Sequence, residues 1–447
     1  MKKGLLKNIE EYKGLKSPIW LAYIVLCLPF FAIIFSILSS ISGIGHTELS
    51  SLSGQYILFF PLCVCLFLCI DLYRLILKER QFDSIKSTFK NYPELFIFAG
   101  FLLYITLASV LQTIFLDTST AWIAKIKHLF VHEGIPFFYF YALCLLCGFF
   151  IKDRSIANHL LVSFMVISAF LGLLVFIDPT GQFVFHEICN TNWAGVFINS
   201  NHYGYFLLLS TLVAATSFAL TDKKSLKIIS LILLIEFLIL LMFNDTLGCL
   251  LACFIALILL PIVIGIRERK FCIKSAIPLA LFIIISVIAS FIASYYHSTY
   301  TLFFGQFANL FSETSTIIKD PTGSASMSAG TDRWGRWLDA VDQIVSSPII
   351  GTGDVLLRPH NEYLQYAASF GLPALLIYVS AYVVMFVKAI KNIKKLSYTT
   401  LVCLFAIGGY LISAFFGVTM PHVLPFMTLI LGLAIRWLNK DILSQKS

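Results

Sequence analysis

The chain has 447 residues, 59% of them apolar and only 13% charged, about half the charged share of an ordinary soluble domain. Such a composition excludes a multi-domain cytosolic enzyme, a disordered chain and a secreted disulfide scaffold, and leaves an all-α integral membrane protein. The net charge of +8 is no signal for nucleic acid, because much of it sits in short hydrophilic loops, where Lys and Arg report membrane orientation.

A spanning helix needs about 20 apolar residues. Twelve runs approach that length: 19–41, 56–77, 94–116, 133–151, 156–177, 202–220, 226–243, 246–266, 273–295, 373–390, 397–416 and 423–438. The first follows Lys2, Lys3, Lys7, Lys13 and Lys16, exceeds a signal-peptide core in length and lacks a small-residue cleavage site, so it reads as a retained anchor. Basic connections at 78–90, 152–154, 223–227, 267–274 and 388–395 fall in every second loop, and Arg436 and Lys440 mark the tail. The segments 42–55, 178–192, 244–245 and 417–422 hold no Lys or Arg. This alternation predicts that both termini face the cytoplasm. Ten of the eleven cysteines lie in or beside apolar runs and only Cys189 falls in a long polar loop. No extracytoplasmic disulfide framework follows, and the Cys144/Cys147 pair reads as helix packing.

The predicted organisation is a polytopic membrane protein of about twelve transmembrane helices. Residues 1–295 carry nine, 296–372 form one large extracytoplasmic loop, and 373–447 carry three helices and a cytoplasmic tail. A connection of about 77 residues far exceeds the usual two to six. Its Ser-, Thr- and Gly-rich middle, Thr314 to Thr331, is expected to be mobile. Arg333 to Val345 reads as an amphipathic helix, with Trp334, Trp337, Leu338, Val341, Ile344 and Val345 on its apolar side and Arg333, Arg336 and Gln343 off it. Gly351 to Gly353 make a turn, Pro359 suits the first position of a helix over His360 to Phe370, and Gly371 ends it.

Polar groups gather at three places on the outer side. The richest holds Arg333, Arg336, Arg358, His360, Asn361, Glu362 and Tyr363. Arginine offers a fixed fork for phosphate oxygens, and histidine titrates near neutrality and can take a proton from an alcohol. The set therefore suits transfer from a phosphate leaving group, although the same arginines also suit contact with lipid headgroups. The second cluster, Asn190, Asn192, Asn199, Asn201 and His202, calls for irregular or re-entrant backbone near Trp193 to Ile198, or for a capped surface turn. The third, Asn244-Asp245-Thr246, reads as a tight turn. Glu236 lies inside an apolar run and fits a functional carboxylate or a hydrogen-bonded structural one equally. His128 and His132 have metal-ligand spacing without a completing acidic or thiolate group, and packing is the simpler reading. No nucleotide-binding loop is present, and no zinc-type grouping of Cys and His.

Gly330-Thr-Asp-Arg333-Trp-Gly-Arg336-Trp337, Ser347-Pro348-Ile-Ile-Gly351-Thr-Gly353, His360-Asn361-Glu-Tyr363-Leu364 and Phe370-Gly371-Leu372, in that order, resemble the signature of the O-antigen ligase and polymerase superfamily. Phe197-Ile-Asn199-Ser-Asn201-His-Tyr-Gly is similar to that family's Asn-rich entry to a middle helix, so the resemblance extends over about 185–435. It implies a metal-independent, inverting glycosyltransferase without a cofactor, in the bacterial cytoplasmic (inner) membrane. The donor would be a polyprenyl-diphosphate-linked glycan, and the acceptor a glycan or lipid-linked glycan. Nucleic acid is no partner; a chain-length regulator is a candidate one.

Carried over, Arg333 would contact the diphosphate and His360 would act as base or orient the acceptor. Arg336, Arg358, Asn361, Tyr363, Asn199 and Asn201 would bind substrate, and no residue would bind metal. Two family arginines are replaced here, one by Asn192 and one near Leu247, so the reading favours a surface-polysaccharide polymerase over a ligase to lipid A-core or a protein O-oligosaccharyltransferase. Rivals outside glycosyl transfer are a polysaccharide or lipid transporter and a membrane scaffold. A transporter would place polar side chains at mid-membrane depth along several helices, whereas here they collect at one outer face.

Overall fold

The computed structural model describes residues 17–42, 91–115, 135–181, 192–197, 199–295, 302–353, 358–418 and 421–444. The apolar run 56–77, His128, His132, Cys189 and Asn190 lie outside these residues. Among the described residues the chain is helical, with no strand. In order the helices are α1 (Ser17–Ser42), α2 (Pro93–Phe115), α3 (Ile135–Phe150), α4 (Arg154–Ile177), α5 (Ser200–Leu220), α6 (Lys224–Asn244), α7 (Leu247–Glu268) and α8 (Ile273–Tyr295). They continue as α9 (Leu302–Lys319), α10 (Ser324–Met327), α11 (Ala329–Ser346), α12 (Glu362–Phe370), α13 (Leu372–Lys391), α14 (Tyr398–Ser413) and α15 (Leu424–Leu443).

Nine helices among the described residues are long and apolar enough to cross a membrane. Two further apolar runs are helical but fall outside that set: α3 is short, and α15 carries Arg436, Lys440 and Asp441. The centre of the bundle is α5, buried on every side from Tyr203 to Ala219 and packed against α6, α7 and α14. Because no face of α5 meets lipid, it can carry hydroxyls: Ser210 donates to Ser168 of α4 at 2.9 Å, the kind of polar contact that joins helices where hydrophobic contrast is absent.

The two ends of the bundle differ. At one, Lys388 pairs with the buried Glu94 at 2.8 Å and donates to Asn439 at 3.0 Å. Nearby, Asp441 accepts from Arg154, from Ser397 N at 2.8 Å and from Thr400 Oγ1 at 2.6 Å. These bonds tie α2, α4, α13, α14 and α15 together. At the other end lie α9 to α12.

Three expectations for that end are corrected. The stretch from Thr314 to Thr331, expected to be mobile, is mostly helix: α9 runs to Lys319 and α10 and α11 follow closely. The amphipathic helix is longer than its Arg333 to Val345 core and faces differently. Arg333, Trp337, Ala340 and Ile344 share its inward stripe, Ala340 being fully buried, while Val341 and Val345 are exposed. Finally, the helix expected from His360 starts at Glu362, because the Asn361 carboxamide accepts from Tyr363 N and Leu364 N, both at 3.1 Å, and so takes the cap.

Candidate functional site

The backbone joint behind the site is built from glycines. The turn after α11 folds back on α12: Thr352 N donates to Ala368 O at 2.9 Å, Gly353 N to Ser369 O at 3.1 Å and Leu372 N to Pro348 O at 2.8 Å. Gly351 and Gly371 both have left-handed backbone, φ 72° and 90°, and a Cβ on Gly371 would sit 1.8 Å from Ile349 O. Only glycine permits that approach. From α2, Gln112 donates to Ser369 O at 2.7 Å and also reaches Ile350 O, and Tyr104 bonds Ile349 O. The joint fixes α11 against α12, and with them the residues each carries.

Arg333 enters from α11, directly after left-handed Gly330 and Asp332. Its guanidinium is largely buried near Tyr205, Cys249 and Glu313, and its Nε has no hydrogen-bond partner among the described residues. Burial lowers its pKa from the ordinary value, while Tyr205, Glu313 and Cys249 raise it. No ion pair joins Arg333 or Arg336 to a carboxylate among the described residues. Arg336 is exposed and donates to Arg358 O at 3.3 Å, which ties α11 to the segment that leads into α12.

His360 sits in that segment with left-handed backbone, φ 53°, a strained state for a residue with a side chain. Its pKa falls to about 4, first through burial and then through Arg333, Arg336 and Arg358. The imidazole is thus held neutral by burial and three cations. The first turn of a helix, where the sequence puts it, is not its environment.

Asn361 is buried as the α12 cap, and the Tyr363 hydroxyl donates to Leu411 O at 2.7 Å. Both therefore hold the segment in place. Next to them Glu362 is fully buried, accepting from Tyr378 at 2.7 Å and Tyr410 at 2.8 Å. Burial raises its pKa, and hydrogen bonds from Tyr378, Tyr410 and Tyr366 oppose the rise.

The asparagine cluster forms a wall of local bonds. A short 3-10 turn, Gly195–Phe197, is buried ahead of α5. Asn199 caps α5 by accepting from Asn201 N at 2.8 Å, and Asn201 accepts from Thr246 at 3.5 Å. Asn244 does more than make a turn: its amide donates to Trp193 O at 3.0 Å and Ser200 O at 2.8 Å. Asn192 is exposed.

The site thus brings Arg333, Arg336, Arg358 and His360 together, and leaves Asn199, Asn361 and Tyr363 engaged with backbone and Asn201 with the Thr246 hydroxyl. Sequence reasoning missed His422. Its ring lies against His202, Nδ1 to Nδ1 at 2.7 Å, with Arg358 near both rings. The two histidines are 220 residues apart, and no spacing rule connects them.

Fold and site together define a multi-pass, all-helical membrane protein with a cationic cluster held by helices at one end of the bundle. The family model for O-antigen ligase matches residues 229–379, from α6 into α13, and takes in Arg333, Arg336, Arg358 and His360. Over that span the chain is similar to the O-antigen ligase and polymerase superfamily, the family its signature resembles, whose members are membrane enzymes of ligase and polymerase type. No curated protein matches the chain.

Proposed function

We propose that this protein is an inverting, metal-independent glycosyltransferase that takes a glycan from a polyprenyl-diphosphate donor and passes it to a sugar hydroxyl on the outer face of the bacterial cytoplasmic membrane. The observation that carries the reading is Arg333: a largely buried guanidinium with an unpartnered Nε, beside a neutral histidine and two further arginines. A buried cation that forms no ion pair is costly unless a ligand supplies the anion, and Glu313, which acts on Arg333, makes none with it among the described residues.

In the reaction an acceptor hydroxyl oxygen attacks the anomeric carbon, and the bond from that carbon to the diphosphate oxygen breaks with its electron pair leaving on the diphosphate. Arg333 stabilises the charge that develops there, with Arg336 and Arg358 beside it. His360, neutral and bare at one nitrogen, accepts the hydroxyl proton. Inversion follows from a single displacement. The segment 296–372 acts as the extracytoplasmic catalytic unit between the helices of 1–295 and those of 373–447, and both termini face the cytoplasm.

Within the superfamily the reading is a surface-polysaccharide polymerase. In this reading Arg336 and Arg358 take over from the two family cations replaced by Asn192 and near Leu247. A ligase is the second reading, favoured by the family description itself. Purified protein in liposomes, given a synthetic polyprenyl-diphosphate repeat unit alone, should form a ladder of longer lipid-linked chains. Product that appears only on addition of lipid A-core would make it a ligase. No transfer to either acceptor would overturn the glycosyltransferase reading.

A further inference from the structure

We propose that α9 is seated in the outer-leaflet lipid of the membrane, with the stripe Phe304, Phe311 and Ile318 turned to that lipid. The surface lies outside the arginine and histidine cluster, and the proposal does not depend on glycan transfer.

The depth of α9 follows from three rings. The helix α7 starts, and α8 ends, at the end of the bundle that carries the site. Phe303, in the first turn of α9, is buried with its ring 5.4 Å from that of Phe254 and 5.1 Å from that of Phe282. Phe254 lies seven residues after Leu247, the first of α7, and Phe282 thirteen residues before Tyr295, the last of α8. At about 1.5 Å per residue these positions are about 10 Å and about 20 Å inside the two helix ends. Tyr295, 72% exposed at the end of α8, marks the headgroup level, where rings with a polar tip collect. So α9 begins within the span of its neighbours and climbs out. Gln306 donates to Asp245 of the α6 to α7 turn at 3.4 Å, and Glu313 acts on Arg333 of α11.

The outward face of the helix is apolar. Phe304, Phe311 and Ile318 recur every seven residues, which keeps them on one side, and they are 47%, 63% and 75% exposed. Asn309 and Glu313 lie off that side. A helix divided in this way rests along a bilayer boundary. What covers the stripe is set by its neighbour. α9 leans on α8, the least covered of the nine spanning helices among the described residues, whose exposed Val287, Ile288 and Phe291 face acyl chains. The stripe extends a surface that is already a lipid surface, starting below the headgroup level. Because α9 also packs against α11, the helix that carries Arg333 stands on a lipid-seated support.

Two measurements on full-length protein in phosphatidylcholine and phosphatidylglycerol liposomes test this. Nitroxide labels at Phe304→Cys, Phe311→Cys and Ile318→Cys, on a background without other cysteines, should collide more often with oxygen, which concentrates in hydrocarbon, than with a water-soluble nickel chelate. The ratio of the two collision rates should fall from Phe304 to Ile318 as α9 rises, and invert at Asn309→Cys and Ser324→Cys. In the unmodified chain, phosphatidylcholine with a diazirine in its acyl chain should, on illumination, leave adducts on Phe304 or Phe311 as well as on the exposed side of α8. A nickel preference at Phe304 and Phe311 would put the stripe in water and overturn the proposal. Weak collision with both reagents would mean that a second copy or another protein covers the stripe, and would overturn it equally. A ratio that rises toward Ile318, or adducts on α8 with none on α9, would do the same.

Discussion

The Tyr410 hydroxyl donates to Glu362 Oε2 at 2.8 Å and Tyr378 donates to Oε1 at 2.7 Å, so one buried carboxylate ties α12 to two spanning helices. Its raised pKa means that folding favours the neutral form: the stability it contributes is complete at low pH and is lost as pH rises through the raised value. Glu362→Gln, neutral at every pH, should fold and keep its activity. Glu362→Ala strands two buried hydroxyls and should lose about 2–4 kcal/mol in thermal or denaturant unfolding. An alanine variant as stable as wild type would remove Glu362 from the framework of the site.

Arg333→Lys keeps the charge and loses the planar fork. Turnover in liposomes should fall about 10²–10³-fold. Arg336 is exposed and spends one Nη on the Arg358 carbonyl, so Arg336→Lys should cost about tenfold or less. Wild-type turnover in Arg333→Lys would return Arg333 to the lipid headgroups.

His360 is neutral well below physiological pH, since its pKa lies at about 4 in the free protein. The profile of kcat/KM should therefore be level from about pH 5 upward and fall only as pH approaches that pKa. A bound diphosphate adds negative charge, so the acid limb of kcat should lie at higher pH than that of kcat/KM. Folding stability should also drop as pH falls below the ordinary histidine value of about 6.5, because the unfolded chain takes up the proton first. An acid limb of kcat/KM near 6.5 that disappears in His360→Gln would contradict this environment.

Sidedness has a direct test. Ser324 is exposed and Ser225 is exposed at the start of α6. On a background without other cysteines, Ser324→Cys should react with an impermeant maleimide from outside, and Ser225→Cys only after permeabilisation. The opposite labelling would invert the proposed orientation. Ser326 is buried and makes a poor probe.

The spanning helices were legible because their signal is one-dimensional: a run such as that of α7, unbroken even by Pro261, needs only length and apolarity. The start of α12 was misread by two residues because Pro359 and Asn361 are competing start signals, and the side-chain cap of Asn361 prevailed. The Ser and Thr residues at the end of α9 mask its helical signal, the recurrence of Phe303, Phe307 and Phe311, of which Phe303 stacks on Phe307 and Phe311 meets Phe307 edge-on. Arg333 was placed on the outward side of α11 because periodicity counts a cation as solvent-facing, whereas the fold uses it as a buried donor. The contact of His202 with His422 is purely tertiary, and composition carries no trace of it.

Replacing Gly371 by alanine would set a Cβ against Ile349 O at 1.8 Å in a left-handed backbone, and should cost at least about 2–3 kcal/mol or prevent folding. Gly100, on α2, has open space around its Cα, and Gly100→Ala should be neutral or stabilising by about 0.5–1 kcal/mol. Equal unfolding temperatures for the two variants would contradict the joint.

That joint bears on how sequences of this kind are recognised. The Gly351, Gly353 and Gly371 positions touch no reacting atom in the proposed scheme; they let one stretch of main chain lie on another. A profile weighted on them retrieves any chain able to make the same fold-back, whatever sugar it handles and whether or not it still handles one. Kinship and chemistry are thus written in different letters of the same signature, and sorting relatives by activity should begin from the arginine and histidine columns.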